Sequence, residues 1–568
     1  MYWHKLATKA IAEAFEKGFS RPAPDNVLQT LEVPPDSSLG DFAFPCFKLA
    51  KELRMAPPKI AQTLKENFSS TQFERTEVKG AYFNLFVNKE AFASSVIEDV
   101  LSSGDRYGSS DLGQGKTCCI DFSSINIAKR FHIGHLSTTL IGAALARIYR
   151  FQNWNVVSIN HLGDWGTQFG NMIAAYKLWG NPEMIEQGGV QALSDLYVRF
   201  HKEAEEDKAL LNLGREWFKK IEDGDEEALS IFNYFKELTL KDAQKVYELL
   251  GIEFDSYAGE SFYNDKMTPV IDELRQKDLL TESDGALVVD LSELDMPPCL
   301  ILKSDGATLY ATRDLAAALY RKKTYDFSKC LYVVAYQQDL HFRQLFAVLK
   351  KMGYSWAESQ MEHVAFGMVS YEGESLSTRK GKVIYLDDLL KKAQEKAYDI
   401  LLEKSPGIKD KDTVARQVGI GAVIYATLQN NRIKDIDFWW DRALNFDGET
   451  GPYVQYTYAR CQSVLQKGAE VQDSPDYTCL ESAVSQEALK NLYSFPKALQ
   501  DALNRNEPYI ITRCITDIAK SYNRFYYEER ILTENKEQTA ARLALTRAVA
   551  QTIKTGCGLL GIEMPDKM

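Results

Sequence analysis

The pattern of apolar and polar positions first indicates a small mixed unit at the start of the chain. Apolar residues recur at helical spacing over residues 3–19 and again over 46–67, whereas residues 80–88 have the composition of a strand. A polar, glycine-rich stretch at 103–116 predicts a domain boundary. We therefore expect an α+β domain at 1–112.

The next segment alternates short apolar runs with a longer amphipathic one. Residues 117–122 predict a buried strand, a polar loop follows, and the helix predicted after it places Leu136 and Leu140 on one face. Residues 155–160 predict the next strand. Strand, loop, helix and strand in this order form the parallel α/β unit, so the sequence predicts an α/β domain at 113–404.

The rest of the pattern predicts an insertion in the parallel sheet and a helical end. Residues 180–300 are mostly helical in pattern and acidic, and we interpret them as the insertion. Later strands are predicted at 285–291, 299–303, 307–311, 331–335 and 363–369. A turn is predicted at 304–306 and a helix at 340–352. From 405 to 568 the pattern is helical, without a convincing strand.

Length and composition exclude several classes of protein. A chain of 568 residues is too long for one hydrophobic core. At the ordinary size of a domain, this length predicts about three or four domains. No run approaches the roughly 20 apolar residues of a membrane span, and the N-terminal residues lack the apolar core of a signal peptide. The nine cysteines are scattered, without a CxxC pair or a Cys/His cluster, which disfavours disulfides and structural zinc. We therefore expect a cytoplasmic protein that makes no membrane contact.

The net charge bears on nucleic-acid partners but does not decide the matter. A formal charge of −12 argues weakly against such a partner, because contacts to phosphate need lysine and arginine. The field that matters is local, however, and the acidic residues are concentrated around 203–227. Charge alone therefore neither supports nor excludes RNA binding.

The first candidate for chemistry is the tetrapeptide His132-Ile133-Gly134-His135, where the loop after the first strand of the α/β domain enters a helix. The N-terminus of a helix attracts phosphate through free N–H groups and its dipole, and a glycine lets a nucleotide approach the backbone. Two imidazoles one turn apart could donate to phosphate oxygens. The competing interpretation is that two histidines stand at the start of a helix by chance. This motif alone is therefore a weak signal of nucleotide binding.

The second candidate is the basic stretch Ser377-Thr378-Arg379-Lys380-Gly381. Its hydroxyls, two cations and a glycine suit a loop that binds a triphosphate. Taken alone, a solvated basic loop is the better interpretation. Its position well downstream of the histidine motif, in the same α/β domain, favours the triphosphate.

Together, the HIGH tetrapeptide and a KMSKS-like loop resemble the class I aminoacyl-tRNA synthetases, and the flanking words are similar to those of the arginyl-tRNA synthetase family. The matching words are DFSSINIAKRFHIGHLSTTLIG, HLGDWGTQFG, FDSYAGESFYND, LKSDGATLYATRDLAAALYR, VVAYQQDLHFRQLF, NFDGETGPYVQYTYAR, SYNRFYY and GLLGIEMPDKM. The resemblance implies a Rossmann-type nucleotide-binding catalytic domain with an insertion. It also implies an N-terminal α+β domain that contacts tRNA and an all-helical C-terminal anticodon-binding domain.

The resemblance further implies a set of arginine-binding residues. They are Asp121, Asn126, His135, Tyr310, Asp314 and Gln338. Among them, Asp314 is the position that pairs with the guanidinium, and a bidentate charge-assisted pair would reject side chains that lack the planar fork. Asp121 and Asn126 would hold the α-amino and carboxylate end. A surface or helix-capping acid is the competing interpretation of Asp314, and its spacing to Gln338 argues against that.

For ATP the resemblance implies contacts from His132, Gly134, His135, Phe366, Ser377 and Lys380, and it implies that the backbone of residues 364–367 binds the adenine. The residues implied in catalysis are His132, His135, Lys129 and Lys380. Two departures matter: the first Lys and the Met of the KMSKS pattern fall on Ser375 and Leu376, and Arg130 and Ile125 occupy common proline positions. We expect Lys129 or Lys380 to supply the missing cation, and the loop before the histidines to be less stiff.

The implied reaction joins arginine to tRNA in two steps. The arginine carboxylate attacks the α-phosphorus of ATP, pyrophosphate leaves, and the terminal adenosine of tRNA(Arg) then takes the arginine from the adenylate. Positioning and electrostatic stabilisation suffice, so no protein nucleophile is needed. Mg²⁺ is expected with ATP, without a structural metal. The residues expected to contact tRNA are Tyr453, Arg524 and Tyr526. The competing interpretation is that Tyr522, Phe525 and Tyr526 are simply core, and their spacing of three and four indicates that some of them are. A monomer is the family expectation.

Three other functions stay open at this point. A smaller class I enzyme that adenylylates a metabolite would not need the helical C-terminal part or the N-terminal unit. A non-catalytic RNA-binding relative would tolerate the loss of a HIGH histidine or of Asp314, and these are present. A synthetase for another amino acid would not require Asp314 and Gln338.

Overall fold

The structure is a computed structural model that describes residues 2–34, 36–303, 310–375 and 384–568, apart from the side chains of Asp25, Ser37 and Ser375. The chain folds into two compact units. The first comprises Met1–Gly108, Thr457–Gln500 and Cys514–Thr555, and the second comprises Ser109–Tyr456, Asp501–Arg513 and Gly556–Met568. The domain boundaries predicted at 112 and 404 stay predictions.

The first unit begins with the predicted α+β segment. Its strands are β1 Phe42–Pro45, β2 Phe73–Lys79 and β3 Tyr82–Val87, in an antiparallel sheet of order β1-β3-β2. Its helices are α1 Tyr2–Phe19, α2 Asp25–Leu28, α3 Ala50–Leu53, α4 Pro57–Asn67 and α5 Lys89–Ser103. The core forms around Trp3, which is buried edge-to-face against Phe73 and Phe92. The helix predicted over 3–19 is confirmed.

The second unit contains a four-stranded parallel sheet of order β10-β9-β4-β5. Its strands are β4 Thr117–Asp121, β5 Asn155–Ile159, β9 Lys329–Tyr332 and β10 Met361–His363. Two smaller sheets contain β6 Thr281–Ser283, β7 Ala286–Val289, β8 Cys299–Leu302, β11 Val369–Tyr371, β12 Glu374–Ser375 and β13 Ile436–Phe438. The first of these, β6-β7-β8, is antiparallel, whereas β11 pairs antiparallel with β12 and parallel with β13.

The remaining helices follow in chain order. They are α6 Leu136–Phe151, α7 Thr167–Trp179, α8 Pro182–Glu206, α9 Ala209–Glu222, α10 Glu226–Leu250, α11 Met267–Gln276, α12 Tyr310–Tyr325, α13 Asp339–Lys351, α14 Trp356–Gln360, α15 Leu386–Lys404, α16 Lys411–Leu428, α17 Trp440–Ala443, α18 Gly451–Lys467, α19 Ala483–Arg505, α20 Tyr509–Glu528 and α21 Lys536–Leu560. No helix in the described parts of the chain is both long and apolar enough to cross a membrane.

Strand β4 is one of the two inner strands of the parallel sheet, and both of its faces are covered. Cys118, Cys119 and Ile120 are completely buried, which explains why the strand is a continuous apolar run. Helix α6 follows it and packs tightly on the same region. A Cβ atom at Gly142 of α6 would lie 2.2 Å from the ring of Phe122, so this helix approaches the sheet at a distance that only glycine allows.

Three predicted elements differ from the structure. The strand predicted at 307–311 is wrong at its end, because Tyr310 opens α12, and 307–309 lie outside the described residues, as does the turn at 304–306. The strand predicted at 363–369 is two short strands, β10 and β11, in different sheets. The expectation of no strand after 405 is also wrong, since β13 lies there. A strand of three residues is too short to show the alternation that would identify it.

Candidate active site

The candidate residues of the second unit converge at the carboxyl ends of the parallel strands. Asp121 ends β4 and leads into the histidine motif, His161 follows β5, and Gln338 follows β9. Since β5 and β9 flank β4 on opposite sides, the chain order reverses at β4. In open parallel sheets this reversal leaves a crevice at the carboxyl edge, where ligands bind.

The loop between β4 and the histidines is held in an unusual conformation. Ser123, Ser124 and Ala128 all have positive φ, at 70°, 47° and 61°. Side chains of α10 brace this loop: Thr239 Oγ1 accepts the N–H of Ala128 at 2.9 Å, and the hydroxyl of Tyr247 lies 2.8 Å from that of Ser123. The helical insertion therefore fixes the loop, because such backbone conformations persist only where the surroundings determine them.

His132 and His135 form a compact turn at the start of α6. Their ring centroids are 4.1 Å apart, and the N–H of Gly134 donates to Nδ1 of His132 at 3.1 Å. That contact requires an unprotonated Nδ1, which places the proton of a neutral His132 on Nε2. Burial lowers the pKa of His132, and burial followed by the neighbouring His132 lowers the pKa of His135 to about 3. Both rings are therefore neutral at pH 7, and the Nε2–H of His132 can donate to a ligand.

Lys129 stands directly before this turn. Its Nζ lies 5.7 Å from the ring centroid of Tyr197 on α8, and burial lowers its pKa. Within the described part of the chain, no carboxylate pairs with it. Lys129 is therefore a cation that an anionic ligand could use.

Asp314 lies one turn into α12 with a histidine on each side. Nε2 of His341 lies 2.7 Å from Oδ2 of Asp314, and Nε2 of His161 lies 3.9 Å from Oδ1. Burial is the largest influence on the pKa of Asp314 and would raise it, but the hydrogen bond and charge of His341, with the charges of His161 and Arg321, together lower the pKa overall. Burial likewise opposes protonation of His341, yet the hydrogen bond to Asp314 and the charge of that carboxylate together raise its pKa. Asp314 is thus an ionised carboxylate, 27% exposed, at the edge of the crevice.

A buried ion pair connects Asp314 with the loop before the histidines. Nη2 of Arg321 donates to Oδ2 of Asp121 at 2.7 Å and lies 3.4 Å from Nδ1 of His161. Oδ1 of Asp121 accepts from the hydroxyl of Ser124 at 3.0 Å. Both members of the pair are almost completely buried. The sequence assigned Asp121 to substrate alone, whereas the structure also gives it an internal partner.

Glu260 is a second carboxylate in this region that the sequence did not single out. Burial raises its pKa to about 7, and Arg313, whose Nη1 lies 3.6 Å from Oε2, opposes that rise. Asp314 raises the pKa further, which indicates that the two carboxylates are electrostatic neighbours. Glu260 lies within the segment FDSYAGESFYND, which carries part of the family resemblance. The sequence therefore pointed to this segment but not to Glu260 within it.

Of the other residues predicted to contact arginine, Tyr310 and Gln338 are exposed and Asn126 is half-buried. Tyr310 is 65% exposed at the start of α12, and Gln338 is exposed after β9. Asn126 is half-buried, and its backbone forms a parallel bridge to Gly163. A Cβ atom at Gly163 would lie 2.4 Å from Oδ1 of Asn126, so the glycine leaves room for this side chain.

Several backbone groups of the predicted adenine-binding segment already have hydrogen-bond partners within the protein. Phe366 is buried, and its carbonyl accepts the N–H of Tyr336 at 3.0 Å. The N–H of Gly367 donates to the carbonyl of Arg432 at 2.8 Å, and that of Val364 donates to Tyr332 at 2.8 Å. Fewer backbone groups are therefore left for a base. Ser377 and Lys380 lie outside the described residues.

The residues predicted to contact tRNA are distributed over both units. In the first unit, Arg524 pairs with Glu528 and Glu487 and is 56% exposed, and Tyr526 is 42% exposed. In the second unit, Tyr453 is half-buried at the start of α18. Tyr522 and Phe525 are completely buried, which confirms the core interpretation for these two, whereas it is wrong for the exposed Tyr526.

Disulfide bonds and clusters of metal ligands are both absent from the described residues. All nine cysteines are free. In the described ranges, no group of three or more His, Cys, Asp or Glu side chains could hold a metal ion.

Models of three known protein domains match successive parts of the chain. The model of class I tRNA synthetases (R), catalytic domain, matches residues 96–440. The model of the DALR anticodon binding domain matches residues 454–568, and that of the arginyl tRNA synthetase N terminal domain matches 3–87.

Relatives with high identity span nearly the whole chain. An arginine–tRNA ligase of Alkaliphilus metalliredigens is 52% identical over 95% of this chain and 96% of its own. Another from Clostridioides difficile is 50% identical over 98% and 99%. Among solved structures, the arginyl-tRNA synthetase of Thermus thermophilus matches with a TM-score of 0.81 at 25% identity, covering all of both chains.

Proposed function

Because this chain belongs to the arginyl-tRNA synthetase family, we propose that it activates L-arginine with ATP and transfers the arginine to the terminal adenosine of tRNA(Arg). The observation that carries this proposal is Asp314, an ionised carboxylate at the same sheet edge as the His132–His135 turn. A carboxylate beside a phosphate-type site suits a substrate that is cationic at one end and reacts at the other. A monomeric, cytoplasmic enzyme stays the expectation.

The guanidinium group of arginine would pair with Asp314. A planar guanidinium presents two parallel N–H groups to a carboxylate, and this geometry distinguishes it from an ammonium group. Glu260 is a second acidic group in these surroundings, but Arg313 pairs with it, so the main attraction for a cation comes from Asp314. Tyr310 and Gln338 would supply the neutral contacts around the planar group.

The α-amino end of arginine would lie toward β4. Asn126 offers an amide with both donor and acceptor atoms. Asp121 uses one oxygen for Arg321 and the other for Ser124, but each carboxylate oxygen has a second lone pair that an ammonium group can use. The charge of Arg321 reduces the net attraction there, so we expect Asp121 to contribute less to affinity than Asp314.

The α-phosphate of ATP would face the His132–His135 turn. The Nε2–H of His132 donates to a phosphate oxygen, Gly134 leaves the backbone accessible, and His135 completes the turn. Lys129 supplies a positive charge directly beside them, and Lys380 and Ser377 would act on the same phosphates. Phe366 would contact the adenine. ATP arrives with Mg²⁺, which neutralises part of its charge.

Catalysis would follow from this arrangement without a protein nucleophile. The substrate carboxylate attacks the α-phosphorus in line, and negative charge builds up on the phosphate oxygens as pyrophosphate leaves. Preorganised donors at these oxygens stabilise that charge more than the ground state. The tRNA would be bound through Tyr453, Arg524 and Tyr526, of which the last two lie in the first unit.

The test of this proposal is ATP–pyrophosphate exchange by the purified protein, with each amino acid in turn, in the presence and absence of tRNA. We expect exchange with arginine and with none of the other amino acids. Lysine is the informative competitor, because it has the charge of arginine but lacks the planar fork. Exchange with lysine at a comparable rate would contradict the role given to Asp314.

A further inference from the structure

Arg130 joins the histidine turn to the start of α15. Its Nη2 donates to both carboxylate oxygens of Asp387, at 2.9 and 2.8 Å, and its Nη1 donates to Oε1 of Gln191 at 3.2 Å. The guanidinium also stacks on Tyr385, with Cζ 3.6 Å from the ring centroid. The side chain is only 18% exposed. An arginine held on three sides in this way has little rotational freedom left.

The backbone on either side of this contact is paired as well. The N–H of Ile133 donates to the carbonyl of Ile384, and the N–H of Leu386 donates to the carbonyl of Phe131, both at 2.9 Å. Between them, His132 forms an antiparallel bridge with Tyr385. The backbone of His132 is therefore held by a short antiparallel pairing with residues 384–386. The side chain of Arg130 adds a contact beside this pairing.

The charge on Arg130 is used within the protein. Asp387 stands in the first turn of α15, where a carboxylate is also stabilised by the helix dipole. The neighbouring Lys129 has no described carboxylate partner, so the two adjacent cations have different roles. Lys129 is available to a ligand, whereas Arg130 is committed to Asp387. The absence of proline at position 130 predicted a less stiff loop, but the arginine side chain restores the restraint.

We propose that Arg130 is a positioning residue for the nucleotide: by fastening the loop to Asp387, it holds His132 and Gly134 in the geometry that receives the phosphates of ATP. This inference rests on the proposed function in that ATP is placed at the histidine turn. Arg130 does not touch the substrate and acts through the turn. Its loss should therefore affect ATP, while arginine, which pairs with Asp314, should be affected little.

The experiment compares Arg130→Gln, Asp387→Asn and the double variant with the unmodified protein. Titration calorimetry with MgATP gives the dissociation constant, and steady-state aminoacylation gives kcat and KM for ATP and for arginine. We expect kcat/KM for ATP to fall roughly ten- to a hundredfold in Arg130→Gln, since small misplacements of reacting groups have effects of this size. The KM for arginine should change by less than about twofold. The double variant should lose no more than Arg130→Gln alone, because both changes break one contact.

A matched control separates positioning from general stability. Arg416 forms a bidentate pair with Glu563 in the same unit, both N–O distances being 2.7 Å. Arg416→Gln should leave the ATP constants unchanged even where it lowers the melting temperature. ATP constants in Arg130→Gln equal to those of the unmodified protein would overturn the inference. Equal losses for ATP and arginine, or losses in the double variant that multiply, would overturn it too.

Failure of the proposed function gives a different result. If the unmodified protein binds MgATP but does not charge tRNA with arginine, the proposed function fails. The calorimetric comparison of Arg130→Gln with the unmodified protein then still decides the role of Arg130. If the unmodified protein does not bind MgATP at all, both proposals fail.

Discussion

Replacing Asp314 with asparagine tests the arginine pocket most sharply. The amide keeps the size and shape of the carboxylate but removes its charge, so a guanidinium loses a charge-assisted pair while the packing of α12 is preserved. The same change deprives His341 of the ion partner that raises its pKa. The substitution therefore removes the negative charge of the pocket while keeping its shape.

The magnitude follows from the environment of the carboxylate. A hydrogen bond to a charged group contributes about 1.5–3 kcal/mol, and a bidentate pair makes two. Asp314 is 27% exposed and already shares its charge with His341, so the upper end of the summed range does not apply. We take about 3 kcal/mol, which corresponds to a rise in the KM for arginine of roughly a hundredfold.

The assay is steady-state aminoacylation with arginine, ATP and tRNA varied separately. The KM for ATP should stay within about threefold of its original value, because Asp314 makes no contact with the histidine turn. Asp326→Asn is the control: Asp326 directly follows α12, is 92% exposed and pairs only with Lys322 among the described residues, so the KM for arginine should not change. An unchanged KM for arginine in Asp314→Asn would refute the assignment of the pocket.

Three further predictions concern stability, burial and RNA contacts. The pKa of His341 is raised in the folded state, so its pairing with Asp314 stabilises the protein fully below the ordinary imidazole pKa of about 6.5, and this contribution is lost as the pH rises through the raised value. The difference in free energy of unfolding between the unmodified protein and His341→Gln, from urea titrations, should therefore be larger at pH 6 than at pH 9. Lys236→Met should lower the free energy of unfolding by about 3 kcal/mol, because Nζ lies 2.6 Å from Asp164, whose side chain is completely buried and would be left without its cation. Tyr526→Ala should raise the KM for tRNA roughly tenfold, the effect of losing one stacked base, with the KM values for arginine and ATP unchanged.

Each of these has a result that would count against it. A stability difference for His341→Gln that is the same at both pH values would show that the histidine is not charged in the folded protein. The control for Lys236 is Lys219→Met, which removes an exposed ion pair to Asp223 and should change stability little. Equal effects of the two lysine changes would contradict the buried character of the first pair. A Tyr526→Ala protein with unchanged tRNA kinetics would remove this residue from the RNA-binding surface.

Periodic and strongly apolar elements could be predicted from the sequence. Strands β4 and β5 lie within one residue of their predicted bounds, and helix α6 lies where an amphipathic helix was predicted between them, because buried strands and amphipathic helices leave consistent patterns. The short strand β13 and the division of residues 363–369 between two sheets could not be predicted. Such elements are decided by their partners in space rather than by their own residues.

The site was predictable in its reactive groups but not in its internal contacts. The histidine turn and Asp314 stand in words with a distinctive order, so the sequence was enough to propose them. The pairing of Asp121 with Arg321, and of Arg130 with Asp387, joins residues that are hundreds of positions apart. Long-range ion pairs of this kind leave no spacing signal in a single sequence.

The most direct test of the central claim is the attachment of labelled arginine to unfractionated tRNA by the purified protein in the presence of ATP and Mg²⁺. The account predicts acid-precipitable label that depends on ATP and on tRNA, with arginine alone among the amino acids attached. Label from a different amino acid, or no label from arginine by a folded protein that binds MgATP, would contradict it.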